Sequence, residues 1–227
     1  MQKNLLVTLK EQVSFYLRAV DHHLINSLIK NGEMPRSVLD DCARMHYGFS
    51  TSWGPVLGTI KDTSTNFKFI EALKENMSDE LGINGISHIT LCADLLKSMG
   101  IDPHYGGNDM LPIAAHPVEI MNTVPFLTEA QKAGYMFLSE SLVPHVFTVL
   151  KPAYDQINAD TRYFSEHMEV DSDKHSVMLQ EALEDIIKKS KDTGIALGEA
   201  LQGIHFGGRS IVGPIDCFYF EALRLQK

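Results

Sequence analysis

The stretch YFSEHMEVDSDKHSVML, residues 163–179, decides how the chain is read. Leu179, Ala182 and Ile186 mark a buried helical stripe just downstream. Stepping back from Leu179 in turns of three and four residues meets His175, Asp171, Met168 and Phe164, with His167 at the stripe's edge. At 100° per residue the three ionisable groups span an arc of about 80°. Charge on the wet face of a helix needs no explanation, but here it falls on the dry face. A buried carboxylate beside imidazoles is costly unless it is paired or coordinates a metal. Taken alone, this helix fits a satisfied His–Asp pair beside a water pocket as well as it fits a metal site.

Working outward, the helical period continues nearly throughout. Leu6, Leu9, Val13, Leu17, Val20, Leu24 and Leu28 predict a one-faced helix over 3–30, closed by Asn31-Gly32. A second helix is expected from Pro35, kinked at Gly54-Pro55, because an internal proline removes a hydrogen bond and crowds the preceding turn. Further helices are expected over 66–80, from His88 to about Ile101, over 127–157, over 160–189, and over 191–225 with an interruption near GGRSIVGP. DPHYGGNDMLP, residues 102–112, reads as a loop. No strand alternation or repeat is visible. The reading is one all-α domain over 1–227 with about seven helices.

The bulk composition narrows the function. A hydrophobic content of 44% with 22% charged residues is ordinary for a globular chain. A net charge of -9 argues against nucleic acid and against an anionic membrane surface as partners. Cys42, Cys92 and Cys217 form no CxxC pair, so neither a disulfide framework nor a cysteine zinc site is indicated. The first twenty residues carry Lys10, Glu11 and Arg18 within their apolar pattern, unlike a signal peptide or membrane anchor. A cytoplasmic location is expected.

Two other segments carry chemistry. Glu140 is the only acidic residue between Ala130 and Tyr154, on a stripe formed with Ala133, Phe137, Pro144 and Phe147. In NMSDELGINGISHITL, Glu80 precedes His88 across two glycines. By itself Glu80 fits a solvated helix-terminal charge, and Glu140 fits a structural glutamate bonded to a hydroxyl. Together with the 163–179 stretch, three helical regions supply carboxylates and imidazoles. That donor set suits iron, manganese or zinc, and helix bundles build dinuclear sites from such inward groups.

These segments resemble the haem-oxygenase-like di-iron oxidases and oxygenases, most closely the CADD-like members. The TenA thiaminases and PqqC share the seven-helix, haem-oxygenase-like fold. The family pattern has a glutamate and a histidine on an early core helix, a glutamate on a central one, and a His-x3-Asp-x2-His run on a later one. Glu80 and His88 match the early pair, Glu140 in GYMFLSESLVPH the central glutamate, and His167 and Asp171 the start of the late run. The likeness covers about 35–225, including FYFEAL at 218–223. In one departure, position 174 is Lys174 where the run has its second histidine, and the histidine follows at His175. A π-bulge would absorb the extra residue; without one, His175 points about 100° from the family direction and the second metal loses a ligand.

The resemblance implies Glu80, His88, Glu140, His167, Asp171 and His175 as ligands to two iron ions, with Glu140 a bridge and no haem. It implies dioxygen as co-substrate, an external reductant, a small carboxylate-bearing substrate such as a fatty acid or amino acid, and a homodimer. Tyr47 and Tyr163 are candidates to line the pocket or donate electrons, though each also fits a core aromatic. Trp53 reads as packing, and the remaining histidines, His46 among them, as surface or satisfied core residues. GIHFGGRS follows no strand, and its glycines fit a helix break near the pocket mouth. Two other readings stay open: a metal-free TenA- or PqqC-like enzyme, with Cys42 or Cys92 as nucleophile in the hydrolytic case, and a non-enzymatic interaction protein.

Overall fold

The structure is a computed structural model that describes residues 2–83, 85–103, 120, 122–170 and 174–227. Every regular element among these residues is helical. The helices are α1 (Gln2–Asp21), α2 (Ile25–Lys30), α3 (Arg36–Asp62), α4 (Phe67–Glu80), α5 (His88–Ser98), α6 (Glu129–Gln156), α7 (Arg162–Val170), α8 (Ser176–Lys189) and α9 (Thr193–Leu225), with a 3-10 turn at Val124–Phe126. None of them is long and apolar enough to cross a membrane. Most of the loop expected at 102–112, with His104, and also His116, falls outside the described residues.

Nine helices among the described residues replace the seven expected, for local reasons. The 3–30 helix is cut by Asn26, whose side-chain amide donates to the carbonyls of Val20 and Asp21 and so closes α1. Ile25 N–H donates to Nδ1 of His23 at the start of α2. The 160–189 helix is divided into α7 and α8, and residues 174–175 form a π-helical turn ahead of α8, one of the two outcomes left open for the extra residue before His175.

α3 continues through Pro55, as a helix expected to kink there does, whereas the interruption expected in the last helix is absent: α9 runs unbroken through GGRSIVGP with Pro214 inside it. The glycines of α9 permit close approach instead of ending the helix. A Cβ on Gly203 would lie 2.0 Å from the Gln131 carbonyl oxygen, and one on Gly134 would lie 2.2 Å from that of Ala200. The backbones of α6 and α9 therefore touch directly, which only glycine allows.

α6 is the central helix. A capping box starts it: Thr128 accepts from Gln131 N–H, while the Gln131 side chain accepts from Thr128 N–H. From Ala130 to Tyr154 it is buried on nearly every side, as a helix enclosed by α1, α7, α8 and α9 must be. The stripe Ala133, Phe137, Glu140, Pro144 and Phe147 is buried as its period predicts. The same holds for Leu179, Ala182 and Ile186 in α8.

Candidate metal centre

The site begins where α4 ends. Gly82 takes φ +69°, its N–H donates to the Asp79 carbonyl, and Ile83 N–H reaches back to Ser78, the double bond of a Schellman terminus. A Cβ on Gly82 would lie 2.4 Å from the backbone nitrogen of Ser87. This glycine therefore lets the chain fold back on itself. Ser87 then caps α5 by accepting from Thr90 N–H. The result places His88, the first residue of α5, against Glu80, the last of α4, with Nδ1 3.0 Å from Oε2.

α7 supplies the third group. Nδ1 of His167 lies 3.0 Å from the Tyr163 carbonyl, one helical turn earlier. A carbonyl can only accept, so Nδ1 carries the proton and Nε2 keeps its lone pair. Nε2 faces Glu80, 4.0 Å from Oε1. Burial, followed by the nearby His88, pushes the His167 pKa well below the usual 6.5 and keeps the ring neutral. Glu80, His88 and His167 each present one donor atom, all within 4.8 Å of one another.

A second set of contacts lies alongside. Nδ1 of His175 is 3.6 Å from Oε2 of Glu140, and the two side chains are 2% and 8% exposed. Nε2 of the same ring is 2.9 Å from Oδ2 of Asp79, a residue the sequence reading passed over. Asp79 stands three residues after Asn76 on α4, and that i, i+3 spacing on a helix now known to face His175 is the signal that would have found it. Asp171 lies outside the described residues.

The cavity beside these groups has a volume of about 130 Å³. Glu80, Glu140 and His167 line it together with Leu39, Met45, Phe49, Trp53, Val143, Leu150, Ile215 and Phe218, among other apolar residues. Tyr163 also lines it, with its hydroxyl accepting from Ser50 Oγ at 3.1 Å and its ring 4.6 Å from that of His167. Tyr47 is partly buried against the core and does not line the cavity, because it points from a different face of α3 than His46 and Ser50.

His46 corrects the expectation of a surface or satisfied histidine. It is only 8% exposed in the cavity wall, edge-on to Phe147 and Phe164, and its Nε2 makes no hydrogen bond among the described residues. The thiols of Cys42 and Cys92 are buried and pushed up, that of Cys42 to about 12, by loss of solvent. Neither is an activated nucleophile.

The profile of a family described as iron-containing redox enzymes matches residues 40–208. The chain belongs to that family. Among solved structures, a domain of unknown function with a heme oxygenase-like fold from Shewanella denitrificans OS217 superposes with a TM-score of 0.76. The match covers 98% of this chain and 95% of that one at 14% identity, which speaks for the fold alone. The comparison with curated proteins found no match.

The donor set suits the iron of an iron-containing redox enzyme. One carboxylate and two imidazoles form the ligand combination typical of non-haem ferrous sites with open positions. The half-buried Glu80 carboxylate faces two buried imidazoles, and the ring of His167, held neutral by its surroundings, supplies it no counter-charge. A cation among the three donors would. The seven-helix count gives way to nine helices among the described residues, while the haem-oxygenase-like fold stands.

Proposed function

We propose that the protein is a non-haem di-iron oxidase or oxygenase that uses dioxygen to oxidise a small carboxylate-bearing substrate. The observation that carries this reading is the meeting of Glu80, His88 and His167, two of which, Glu80 and His167, line an apolar cavity. Glu80, His88 and His167 would hold one iron, and Glu140 and His175, with Asp171, a second. Bound iron would supply dioxygen activation and electron transfer.

The protein's own contribution is positional. The π-helical turn at 174–175 brings His175 to Glu140, as a ligand shifted by one residue would need. His167 keeps its proton on Nδ1 against the Tyr163 carbonyl, which leaves the Nε2 lone pair for a metal. The apolar lining excludes water from the reacting end of the substrate. No lysine or arginine lines the cavity among the described residues, so a substrate carboxylate has no protein cation to meet and would turn to the metal end. The same lining favours an alkyl chain over the polar backbone of an amino acid.

The glutamate with two histidines also fits a single-iron centre, and stoichiometry separates the two readings. In an anaerobic titration of metal-free protein with ferrous iron, the di-iron reading expects two equivalents per chain. Dioxygen should then change the visible spectrum and be consumed in the presence of a fatty acid. One equivalent would support the mononuclear centre, and no uptake would remove the oxygenase reading.

A further inference from the structure

The groups around His175 lie outside the Glu80–His88–His167 cluster and explain the displaced histidine. α4 turns Asn76 and Asp79, one helical turn apart, toward that ring. Nε2 lies 2.9 Å from Oδ2 of Asp79. On the other side of the ring, Nδ1 lies 3.5 Å from the side-chain nitrogen of Asn76 and 3.6 Å from Oε2 of Glu140. An ionised carboxylate only accepts, so Nε2 carries the proton and donates to Asp79. Nδ1 then keeps its lone pair on the side where Glu140 stands, and the long Asn76 contact, a donor toward Nδ1, agrees with this. Lys174 approaches the same carboxylate: its ammonium pairs with Glu75 and lies 3.6 Å from Oδ2 of Asp79.

We propose that Asp79 is a positioning residue for a second metal. It locks His175 in the Nε2–H tautomer so that Nδ1, beside Glu140, is the nitrogen offered to a ferrous ion. Histidine ligands commonly donate their second ring N–H to a carboxylate in this way, which fixes both the tautomer and the ring plane. The inference rests on the two-iron reading above, and it assigns to Asp79 a task that needs no direct contact with metal or substrate. It also gives a reason for Lys174 at the family's histidine position: its charge sits against the carboxylate that holds the ring of the next residue.

The test uses cobalt(II) as a probe, titrated anaerobically into metal-free wild type, Asp79→Asn and Asp79→Glu. Long-range 15N–1H spectra of the same metal-free samples report the His175 tautomer, assigned by its loss in His175→Gln; the other histidine signals report an intact fold. Wild type is expected to take up two cobalt ions, with His175 protonated on Nε2. In Asp79→Asn the new side-chain amide can donate to Nε2, so the proton should move to Nδ1 and second-site affinity should fall about 10–100-fold, with the first site unchanged. Asp79→Glu should restore the tautomer and part of the affinity. A single cobalt ion in wild type overturns the two-metal reading and this assignment with it. Two ions in wild type and undiminished second-site affinity in Asp79→Asn, or weaker binding with the tautomer unmoved, overturn the role of Asp79 alone.

Discussion

His88 and His167, from α5 and α7, pack ring against ring with their centroids 4.0 Å apart and their planes tilted by 39°. Two imidazolium ions could not share that space away from water. This close packing therefore holds only while at least one ring is neutral, and for His167 burial and the neighbouring His88 act in that direction. Neutral imidazole is also the form that binds a metal. The same packing that builds the core thus keeps the ligands ready.

Glu80 contacts both rings, so its loss should be felt at both. Glu80→Ala is expected to weaken the tighter ferrous site by more than the roughly 10–100-fold typical of losing an outer hydrogen-bond partner. Helical circular dichroism should persist, because Glu80 is the last residue of its helix. Retention of tight iron in this variant would remove Glu80 from the centre.

Glu140 separates the two halves of the proposed site. Glu140→Ala should abolish uptake of a second metal and dioxygen consumption while leaving one ferrous ion bound. Calorimetric titration alongside an oxygen electrode reads both. Two metals bound as in wild type would show that the glutamate is structural.

Burial lowers the His46 pKa from the ordinary 6.5 to about 4. Above pH 6.5 the ring is neutral in folded and unfolded chains alike and costs nothing. Below it the unfolded chain takes up a proton that the folded chain refuses, so stability falls as pH drops from 6.5 to about 4 and then levels off. Between pH 7 and 5, metal-free wild type should lose about 2 kcal/mol more than His46→Leu. Urea melts at each pH check this, and parallel curves for the two proteins would contradict it.

Gly82 joins the two ligand-bearing helices. Gly82→Ala should cost about 1–3 kcal/mol for the left-handed backbone alone. The contact of the new Cβ with the Ser87 backbone adds to that cost. Because the turn sets His88 against Glu80, iron affinity should fall with stability in this variant. Unchanged affinity would mean that the turn is not what brings the pair together.

Cys217 is exposed, whereas the thiols of Cys42 and Cys92 are buried and pushed up. Iodoacetamide at pH 8 should therefore add a single carbamidomethyl group to the folded chain and modify all three cysteines after denaturation. Intact-mass spectrometry counts them. Labelling at Cys42 in the native protein would revive the nucleophilic-cysteine reading.

Much of this was legible in the residue order. The burial of Glu140 followed from its being the one acid in an apolar helical stripe, and that of His175 from its register with Leu179 and Ala182. The extra residue before His175 left a π turn or a displaced ring as the two outcomes, and residues 174–175 form a π-helical turn. Periodicity is written in the sequence because the helix repeat is a property of the backbone itself. Break points were less legible. Asn26 closes α1 through side-chain bonds that no period reveals, and the glycines of α9 look like breakers until the carbonyls of α6 are seen against them.

Sequence alone determined the helical class, the apolar faces and the residue types able to hold iron, all of which depend on local spacing and side-chain chemistry. Only the tertiary structure decided which of those groups meet. It set Glu80 against both His88 and His167, excluded Tyr47 from the cavity, left His46 Nε2 without a hydrogen bond among the described residues, and placed Asp79 on the far nitrogen of His175. Such pairings join helices distant in the chain, and their distances follow from how side chains fill the space between helices, which no local pattern encodes.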